Sequence, residues 1–510
     1  MTLKTLSVKK KFTLNTITSL LLQLLTFVSG FILPRLYLLR FGSEINGLVS
    51  SITTFLGFIT LAECGVGAVV QTSFYRPINE HDDILTSKIF VSSERFFKKI
   101  AYLLIAYIGL LIIFYPRLVA INYEFLFTAS LILAMAISTF AQYFFGMTYK
   151  LYLNAQQFGF IQYGVSIICL VVNTTVTVIL LQSNCSIQFV KLASSLIMLA
   201  QPFVFRWYVT RNFSINRKVI LDEEPIKQKW NGLAQHIAFI VASETDTVVL
   251  SLFSSLSSIS IYHVYYMIVN GLRQVIVSLT NGTTAYMGNC YAKKDKKALE
   301  EFFSCFEWAI HYGVTTLFTI CGILLVPFIM IYTRNIEDAN YYVPLFSALL
   351  TISQGIKCIQ LPYNSVIHAT GRFKETQWGS IWEAAINIAV SVIFVLKYGI
   401  VGVAIGTIVA FLYRTCYLSW YLSRHITHRK ITHFIGHAIV DVVLSVLSCF
   451  ICSFLPISPT SYVEWLFWAI IVGLICVVLS TLINCIIYKN DVGYFLSNVV
   501  SKKIKTKQGV

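Results

Sequence analysis

The sequence predicts an all-α integral membrane protein with about fourteen transmembrane helices of ~20 residues or more. Of its 510 residues, 56% are hydrophobic and only 12% are charged. Soluble domains carry roughly 25% charged residues, because their surfaces must be solvated. Apolar runs long enough to cross a ~30 Å hydrocarbon core recur from end to end. A β-barrel would need alternating strands of ~10 residues, and these runs do not alternate.

The predicted spans are long, continuous apolar segments that need only short connections. The first run follows Lys4 and Lys9 and extends from Phe12 to about Leu39. Because a signal-peptide core has only about 7–15 apolar residues, this run is expected to remain as the first span. The predicted spans are 13–38, 45–72, 97–115, 124–148, 158–182, 187–209, 231–254, 258–286, 304–332, 341–368, 375–397, 399–422, 433–455 and 462–488.

Basic residues predict the topology of these spans. With the N-terminus inside, thirty Lys and Arg residues fall on inner segments and only four on outer loops, namely Arg40, Arg117, Arg334 and Lys397. Cytoplasmic loops collect basic residues in this way, so both termini are predicted to be cytoplasmic. Topology and attraction to anionic membrane lipids therefore account for the net charge of +16 without nucleic-acid binding.

An internal repeat relates the first six spans to the next six. Asn173 and Asn387 each begin the pattern Asn-x-x-Val-[Ser/Thr]-Val-Ile, and each lies 18 residues after the alanine of a similar loop, Ala155 or Ala369. The repeat predicts an N-lobe at 1–212, a C-lobe at 229–428, and spans 13 and 14 with a basic tail at 429–510. Because each lobe has an even number of spans, the pseudo-twofold axis is expected along the membrane normal, with substrate between the lobes.

Several short motifs then resemble one family. They are Leu33-Pro-Arg-Leu-Tyr37, Phe41-Gly-Ser-Glu-Ile-Asn-Gly47, Ala369-Thr-Gly-Arg-Phe373 and Tyr398-Gly-Ile-Val-Gly-Val-Ala-Ile-Gly406. With these motifs the chain resembles the bacterial polysaccharide and O-antigen flippases of the MATE-like multidrug/oligosaccharidyl-lipid/polysaccharide (MOP) superfamily. The resemblance covers essentially the whole chain and implies a MATE-like fold.

The resemblance also implies a function. The chain would be a flippase, not an enzyme, working by alternating access in the bacterial cytoplasmic (inner) membrane. It would carry an undecaprenyl-pyrophosphate-linked oligosaccharide to the outer leaflet for capsule, O-antigen or exopolysaccharide biosynthesis. Its partners would be this lipid-linked oligosaccharide, membrane lipids and polysaccharide polymerase machinery. Coupling to H⁺ or Na⁺ is compatible with the family, and no other cofactor or metal is expected.

Basic residues deep in the spans are the candidate substrate ligands. An ionisable side chain at the centre of a span costs ~2.5 kcal/mol or more and by default indicates function. A pyrophosphate needs cations to replace its water, and the planar guanidinium of arginine can bind it with two parallel hydrogen bonds. The predicted pyrophosphate or sugar ligands are Arg273 and Lys357, followed by Arg35 and Arg414.

Acidic residues in the spans are the candidate sites of ion coupling. They are Glu63, Glu244, Asp246 and Glu383. Glu244 and Asp246 lie about 200° apart around a helix, so only one can face a central cavity. The resembling family favours Asp246. The alternative is that these acids form ion pairs with the deep cations, such as Asp246 with Arg273, and merely hold helices together.

Two other functions are compatible with a chain that crosses the membrane many times. A multidrug exporter of the same fold would favour an acidic cavity, whereas a polytopic glycosyltransferase or polymerase would need a large outer loop, which the sequence lacks. His425, His428, His433 and His437 lie among basic residues, which disfavours a metal site. The segment Ser353–Asn364, which contains Pro362, is the best candidate for a broken helix lining a cavity.

Overall fold

The structure is a computed structural model that describes residues 7–63, 65–220, 225–226, 233–280 and 283–496. Within these ranges every regular element is helical. The predicted basic tail beyond residue 496, and the individual residues Lys4, Cys64, Lys227 and Lys229, lie outside the described residues. The helices are α1 (Val8–Gly57), α2 (Ile59–Glu63), α3 (Val66–Asn79), α4 (Asp83–Leu118), α5 (Phe125–Ala141), a π-helical turn (Gln142–Gly146), α6 (Met147–Ala155), α7 (Gly159–Gln182), α8 (Ile187–Asn212), α9 (Leu233–Phe253), α10 (Leu256–Leu279), α11 (Thr283–Ala292), α12 (Lys296–Tyr332), α13 (Pro344–Ile359), α14 (Leu361–Thr370), α15 (Phe373–Tyr398), α16 (Ile400–His425), α17 (Thr432–Ser453) and α18 (Tyr462–Ile487).

The all-α membrane fold class is confirmed, and the predicted spans lie on these helices with different boundaries; residues 231–232 and 281–282 of the seventh and eighth predicted spans lie outside the described residues. Ten helical stretches in the described part of the chain are long and apolar enough to cross a membrane. Large apolar side chains remain exposed along their outer faces, among them Leu24, Ile439, Val463 and Leu474. Such exposure would be unfavourable in water, and a bilayer is the solvent that accommodates it.

The second predicted span is not one continuous helix, contrary to expectation. The segment 45–72 is divided among the end of α1, the short helix α2 and the start of α3. Gly65, with φ 72°, precedes α3. Gly42, with φ 81°, lies before this span, and the chain changes direction there, in the predicted connection between the first two spans. Glycine adopts these positive φ values at little cost, so the turn and the break before α3 both lie at glycine positions.

The helices that contain the third and ninth predicted spans begin earlier than those spans, and each begins after an aspartate cap. Asp82 caps α4 by accepting a hydrogen bond from the Leu85 N–H at 2.8 Å. Asp295 caps α12 by accepting one from the Ala298 N–H at 3.0 Å. An aspartate cap stabilises the first turn of a helix, so each helix continues beyond the membrane-spanning segment. The matching caps are a further likeness between the two halves of the sequence.

The tenth span is broken where the sequence predicts it. Helix α13 ends at Ile359 and α14 begins at Leu361, with Pro362 in its first turn. Proline at that position lacks only an N–H that the helix would not have used. The fourth span, at the equivalent place in the first half, contains the π-helical turn Gln142–Gly146. Both interruptions shift the direction of side chains within a span.

One compact unit contains the described residues up to Ile240 together with Ser255–Ser260. In it α1 packs against α7, and α5 packs against α8. Its interior includes an aromatic cluster in which Phe90 contacts Tyr149 and Tyr152 edge-on, at centroid distances of 5.1 and 5.6 Å. Edge-to-face packing stabilises such rings beyond their burial alone.

The other unit contains Val241–Ser254 and the described residues from Ile261 onwards. Its most extensive packing joins α15 to α16. Helix α12 packs against α13 and also against the two C-terminal helices, α17 and α18. Trp308 on α12 donates a hydrogen bond to Asn484 on α18 at 2.9 Å, and Trp465 on α18 donates one to the Leu324 carbonyl at 3.1 Å. Polar contacts therefore attach α18 to α12 within this unit.

Candidate functional site

Three of the predicted deep charges meet in one cluster of the second unit. Lys357 on α13 places Nζ 2.8 Å from Oε1 of Glu383 on α15. Arg414 on α16 places Nε 3.7 Å from the other carboxylate oxygen, Oε2. The Arg414 and Glu383 side chains are 4% and 8% exposed, and Lys357 is 21% exposed. One buried carboxylate thus serves two cations, and the cluster carries a net charge of +1.

The surroundings of this cluster hold the cations in place. Arg414 Nη1 donates a hydrogen bond to the Thr376 carbonyl at 3.0 Å. The Lys357 ammonium lies 4.4 Å from the centre of the Phe411 ring, a cation–π distance. Because Phe411 and Arg414 lie three residues apart on α16, one face of that helix supplies both contacts. Arg414 is therefore a buried structural cation, whereas Lys357 keeps a partly accessible ammonium.

Arg273 on α10 has no carboxylate partner among the described residues. Its Nε and Nη2 donate to Oδ1 of Asn270, one turn earlier on the same helix, at 3.1 and 2.6 Å. The Tyr266 hydroxyl is also within hydrogen-bonding reach. The charges of Arg273 and Lys357 both act on the thiol of Cys358, so they occupy the same region of the unit. These cations with Arg414 and Glu383 give that region a net charge of +2.

Asp246 on α9 occupies a different environment, rich in neutral oxygen atoms. Its Oδ2 accepts a hydrogen bond from Tyr262 at 2.9 Å, and its Oδ1 accepts one from Thr407 at 2.7 Å. The Asn387 side chain also hydrogen-bonds to it. The carboxylate is buried, and no basic side chain pairs with it in the part of the chain that the structure describes. The considered Asp246–Arg273 ion pair is thus not formed in this structure.

Two glycines of the recognised α16 motif make this arrangement possible. A Cβ at residue 402 would lie 2.3 Å from the Phe394 carbonyl carbon, and one at residue 406 would lie 2.1 Å from Ser391 Oγ. The backbones of α15 and α16 therefore approach more closely than any other residue type allows, as at small-xxx-small helix interfaces. Ser391 in turn donates to Asn387 at 3.0 Å. The glycine spacing thus positions the amide and hydroxyl groups around Asp246.

The remaining predicted residues are Glu244, Glu63 and Arg35. Glu244, two residues before Asp246, is half-buried and acts on it electrostatically. In the first unit, Glu63 accepts a hydrogen bond from Tyr143 at 3.2 Å. Arg35, also in the first unit, is half-buried on α1. Glu63 and Arg35 therefore belong to the first unit, while the other predicted ligands belong to the second.

The first unit also contains a polar cavity of about 180 Å³. The π-helical turn contributes Gln142 and Gly146 to its wall, and α6 contributes Lys150. Gln162 on α7 lines it too, and its Oε1 is buried without a hydrogen-bond partner in the described structure. A polar cavity of this size is large enough for several water molecules.

Several ionisable residues within the spans were passed over by the sequence analysis. In the second unit they are Glu307 and His311 on α12 and Asp441 on α17. In the first unit Lys191 on α8 lies 4.1 Å from the centre of the Tyr37 ring. All four fall within predicted spans, so the depth criterion applied to Arg273 would have identified them.

Comparison with known proteins agrees with the predicted fold. Residues 233–393 match the MatE family. No curated protein matches the chain by sequence. Among solved structures, the lipid II flippase MurJ in an inward closed conformation is similar at TM-score 0.70 and 15% identity, covering 94% of this chain and 99% of that one.

Two further structures are similar at lower scores. An inward-facing multidrug resistance MATE family transporter of the MOP superfamily has TM-score 0.61 and 14% identity, covering 78% of this chain and 94% of that one. A MOP superfamily transporter from Pyrococcus furiosus, described as having a binding pocket of reverse polarity, has TM-score 0.55 and 14% identity, with coverages of 81% and 94%. The predicted MATE-like fold is confirmed, and these neighbours are transporters and flippases rather than enzymes.

Proposed function

We propose that this protein is a flippase for a lipid-linked oligosaccharide, carried across the membrane as its pyrophosphate. The observation that carries the proposal is Arg273, a cation within α10 whose hydrogen-bond partners, Asn270 and Tyr266, are neutral. A guanidinium has five N–H donors, and these two partners do not use all of them. Arginine matches the geometry of phosphate oxygens, so the remaining donors suit a pyrophosphate. The fold shared with a lipid II flippase supports a lipid-linked substrate.

The neighbouring charges favour an anionic substrate over a cationic one. Lys357 retains partial exposure despite its pairing with Glu383. Together with Arg273 it provides positive charge that would repel the cationic drugs taken by a multidrug exporter and attract a pyrophosphate. A cation-coupled multidrug exporter of the same fold is the second candidate, supported by the similarity to a MATE multidrug transporter.

Asp246 is the proposed site of ion coupling. A buried carboxylate surrounded by hydroxyl and amide oxygens can be neutralised either by a proton or by Na⁺, whose preferred ligands are also oxygen atoms. Occupation by either ion would remove the cost of the buried negative charge. This site would link transport to an ion gradient.

The proposed cellular setting follows from the charge distribution. We place the protein in the bacterial cytoplasmic membrane with both termini in the cytoplasm, because basic residues favour that side. The segments 1–212 and 229–428 would be the two repeats, with 429–510 outside them. The product would enter capsule, O-antigen or exopolysaccharide synthesis by a polymerase.

Translocation in reconstituted vesicles tests the function. Purified protein is incorporated into liposomes that contain a fluorescent polyprenyl-pyrophosphate oligosaccharide, and the fraction accessible to an external quencher is followed with time. Arg273→Ala should abolish transport while leaving membrane insertion of the protein unchanged. Arg273→Lys should recover only part of the transport, because a compact ammonium replaces a planar guanidinium that can donate two parallel hydrogen bonds. The exposed arginine Arg424, changed to alanine, is the matched control.

Two outcomes would overturn the proposal. Full transport by Arg273→Ala would remove Arg273 as a ligand. Transport of a cationic dye but not of the pyrophosphate lipid would instead establish the multidrug exporter. In cells, a deletion strain should accumulate the lipid-linked precursor, and lipid analysis would identify its glycan.

A further inference from the structure

A network of ionisable side chains connects α12 to α17, outside the predicted substrate and coupling sites. Glu307, His311 and Thr315 recur at four-residue intervals on one face of α12. His311 Nδ1 hydrogen-bonds to Oδ2 of Asp441, and Thr315 donates to the other oxygen, Oδ1, at 2.7 Å. The His311 side chain is 2% exposed and Asp441 is 14% exposed. A histidine–aspartate pair with a buried histidine and a half-buried aspartate thus lies within two predicted spans.

A second pair lies one helical turn away. Glu307 Oε2 accepts a hydrogen bond from Arg429 at 3.0 Å, and Oε1 accepts one from Tyr363 on α14 at 2.6 Å. The His437 ring stacks on His311 with 4.9 Å between ring centres. The titratable and charged groups around His311, from each element packed against it, are Glu307, Tyr363, Arg429, His433, His437, Asp441, Tyr488 and Asp491.

The charges of the two hydrogen-bonded pairs, Glu307–Arg429 and Asp441–His311, balance only when one more proton is bound. Glu307 and Arg429 neutralise each other, and Asp441 is neutralised only when His311 is an imidazolium. A lone buried carboxylate is costly, whereas a charged histidine beside it forms a charge-assisted pair. His437 lies too close to His311 for both rings to be charged without repulsion. The network therefore accommodates a single additional proton.

The geometry also defines where that proton would be added and how water could approach. Because Nδ1 of His311 faces Asp441, the free position is Nε2, which is buried without a hydrogen-bond partner among the described residues. A cavity of about 20 Å³ borders Glu307 and Arg429 and reaches the polar segment around Lys430 and His433. A space of this size, bordered by the charged groups of Glu307 and Arg429, can hold one water molecule. Water can thus approach within one helical turn of the His311–Asp441 pair.

We infer that His311 and Asp441 form an exchangeable proton-binding site that connects α12 to the C-terminal helix α17, separate from the coupling site proposed at Asp246. A proton from water binds Nε2 of His311, and the resulting imidazolium donates its Nδ1–H to Asp441. Loss of that proton leaves the carboxylate beside a neutral ring and weakens the attachment of α17 to α12. Chains of buried His, Asp and Glu residues serve as proton relays in membrane transporters.

Solid-state NMR of the full protein with ¹⁵N-labelled histidine, in liposomes, tests the site without any transport assay. The chain has nine histidines, and His311→Gln identifies the His311 signals by their disappearance. Across about pH 5 to 8, His311 should change once between charged and neutral forms. Asp441→Asn should lower its proton affinity about tenfold or more, the effect of losing one adjacent charge. The exposed histidine His425, changed to glutamine, should leave the His311 titration unchanged.

The titration of His311 can contradict the proposed proton-binding site in several ways. A His311 ring that stays neutral, or stays charged, over the whole range would overturn the proposal, as would a titration that Asp441→Asn does not shift. If Asp441→Asn fails to fold, Thr315→Val keeps both titrating groups and removes one hydrogen bond to the carboxylate. Thr315→Val should still shift the titration of His311. A His311 titration that this variant leaves unchanged would count against the site. Because no substrate is used, failure here is distinguishable from failure of the proposed flippase function.

Discussion

Replacing Glu383 with glutamine removes the one carboxylate shared by two cations. Its oxygens lie 2.8 Å from Lys357 Nζ and 3.7 Å from Arg414 Nε. At an effective dielectric constant of about 20, these separations correspond to attractions of roughly 6 and roughly 4.5 kcal/mol. Desolvation of the three groups offsets much of that. Removing one partner from a buried pair costs about 3–5 kcal/mol, so we expect the free energy of unfolding to fall by that amount.

The loss can be measured on purified protein by denaturant unfolding in detergent. Glu375→Gln is the matched control, because Glu375 is an exposed carboxylate in the first turn of the same helix. Surface substitutions of this kind change stability by about 0.5 kcal/mol or less. Adding Lys357→Met to Glu383→Gln removes one of the two stranded cations and should recover part of the loss.

The same variants distinguish a structural role of Lys357 from substrate binding. If Lys357 only neutralises Glu383, the double variant should be both more stable and more active than Glu383→Gln alone. If its ammonium also binds substrate, the double variant should regain stability but not transport. A Glu383→Gln protein as stable as the Glu375→Gln control would refute the reasoning, because the cluster would then contribute nothing.

Three further results are expected. Asp246→Asn should remove the dependence of transport on an imposed Na⁺ or H⁺ gradient in vesicles, because an amide side chain does not take up a proton and has no negative charge to attract Na⁺. Unchanged gradient dependence would count against the site. Gly406→Ala should lower the unfolding temperature, since the added Cβ would lie 2.1 Å from Ser391 Oγ, whereas Gly436→Ala on α17, where nothing lies within 4 Å, should not. Cysteines introduced at 293–297 should react with an impermeant reagent only from the cytoplasmic side, and labelling in intact cells would overturn the topology.

The positions of the spans were predictable because hydropathy depends on local composition alone. Breaks within spans were predictable in part. Pro362 indicated the interruption of the tenth span, and the structure confirms it. The turn at Gly42 lies in the predicted connection between the first two spans. The break at Gly65 was not predicted, because glycine is tolerated within membrane helices and only the backbone conformation shows which glycine interrupts one.

The pairing of the deep charges was beyond sequence reasoning. Glu383 lies 26 residues from Lys357, on a different helix, and the sequence left open whether it pairs or binds ligand. Whether Glu383 faces Lys357 or a cavity depends on the rotation of each helix about its axis, and tertiary packing determines that rotation. His311 and Asp441 were missed for a simpler reason. Histidine was considered only as a possible metal ligand near the membrane surface, whereas His311 lies on α12, far from that group in sequence.

The proposed coupling site at Asp246 and the cluster of Lys357, Glu383 and Arg414 share two helices. Asn387 lies four residues after Glu383 on α15, and Thr407 lies seven residues before Arg414 on α16. At ~1.5 Å per residue, the two sites are separated by roughly 6 to 10 Å along α15 and α16. Gly402 and Gly406 allow these two helices to pack in close contact. A displacement of α16 that adjusts the oxygens around Asp246 must therefore also move Arg414. Coupling between sites requires such a shared element, and it acts equally in both directions. We therefore expect the bound ion to change the affinity for a pyrophosphate lipid by the same factor as the lipid changes the affinity for the ion, and Gly406→Ala to reduce both effects together.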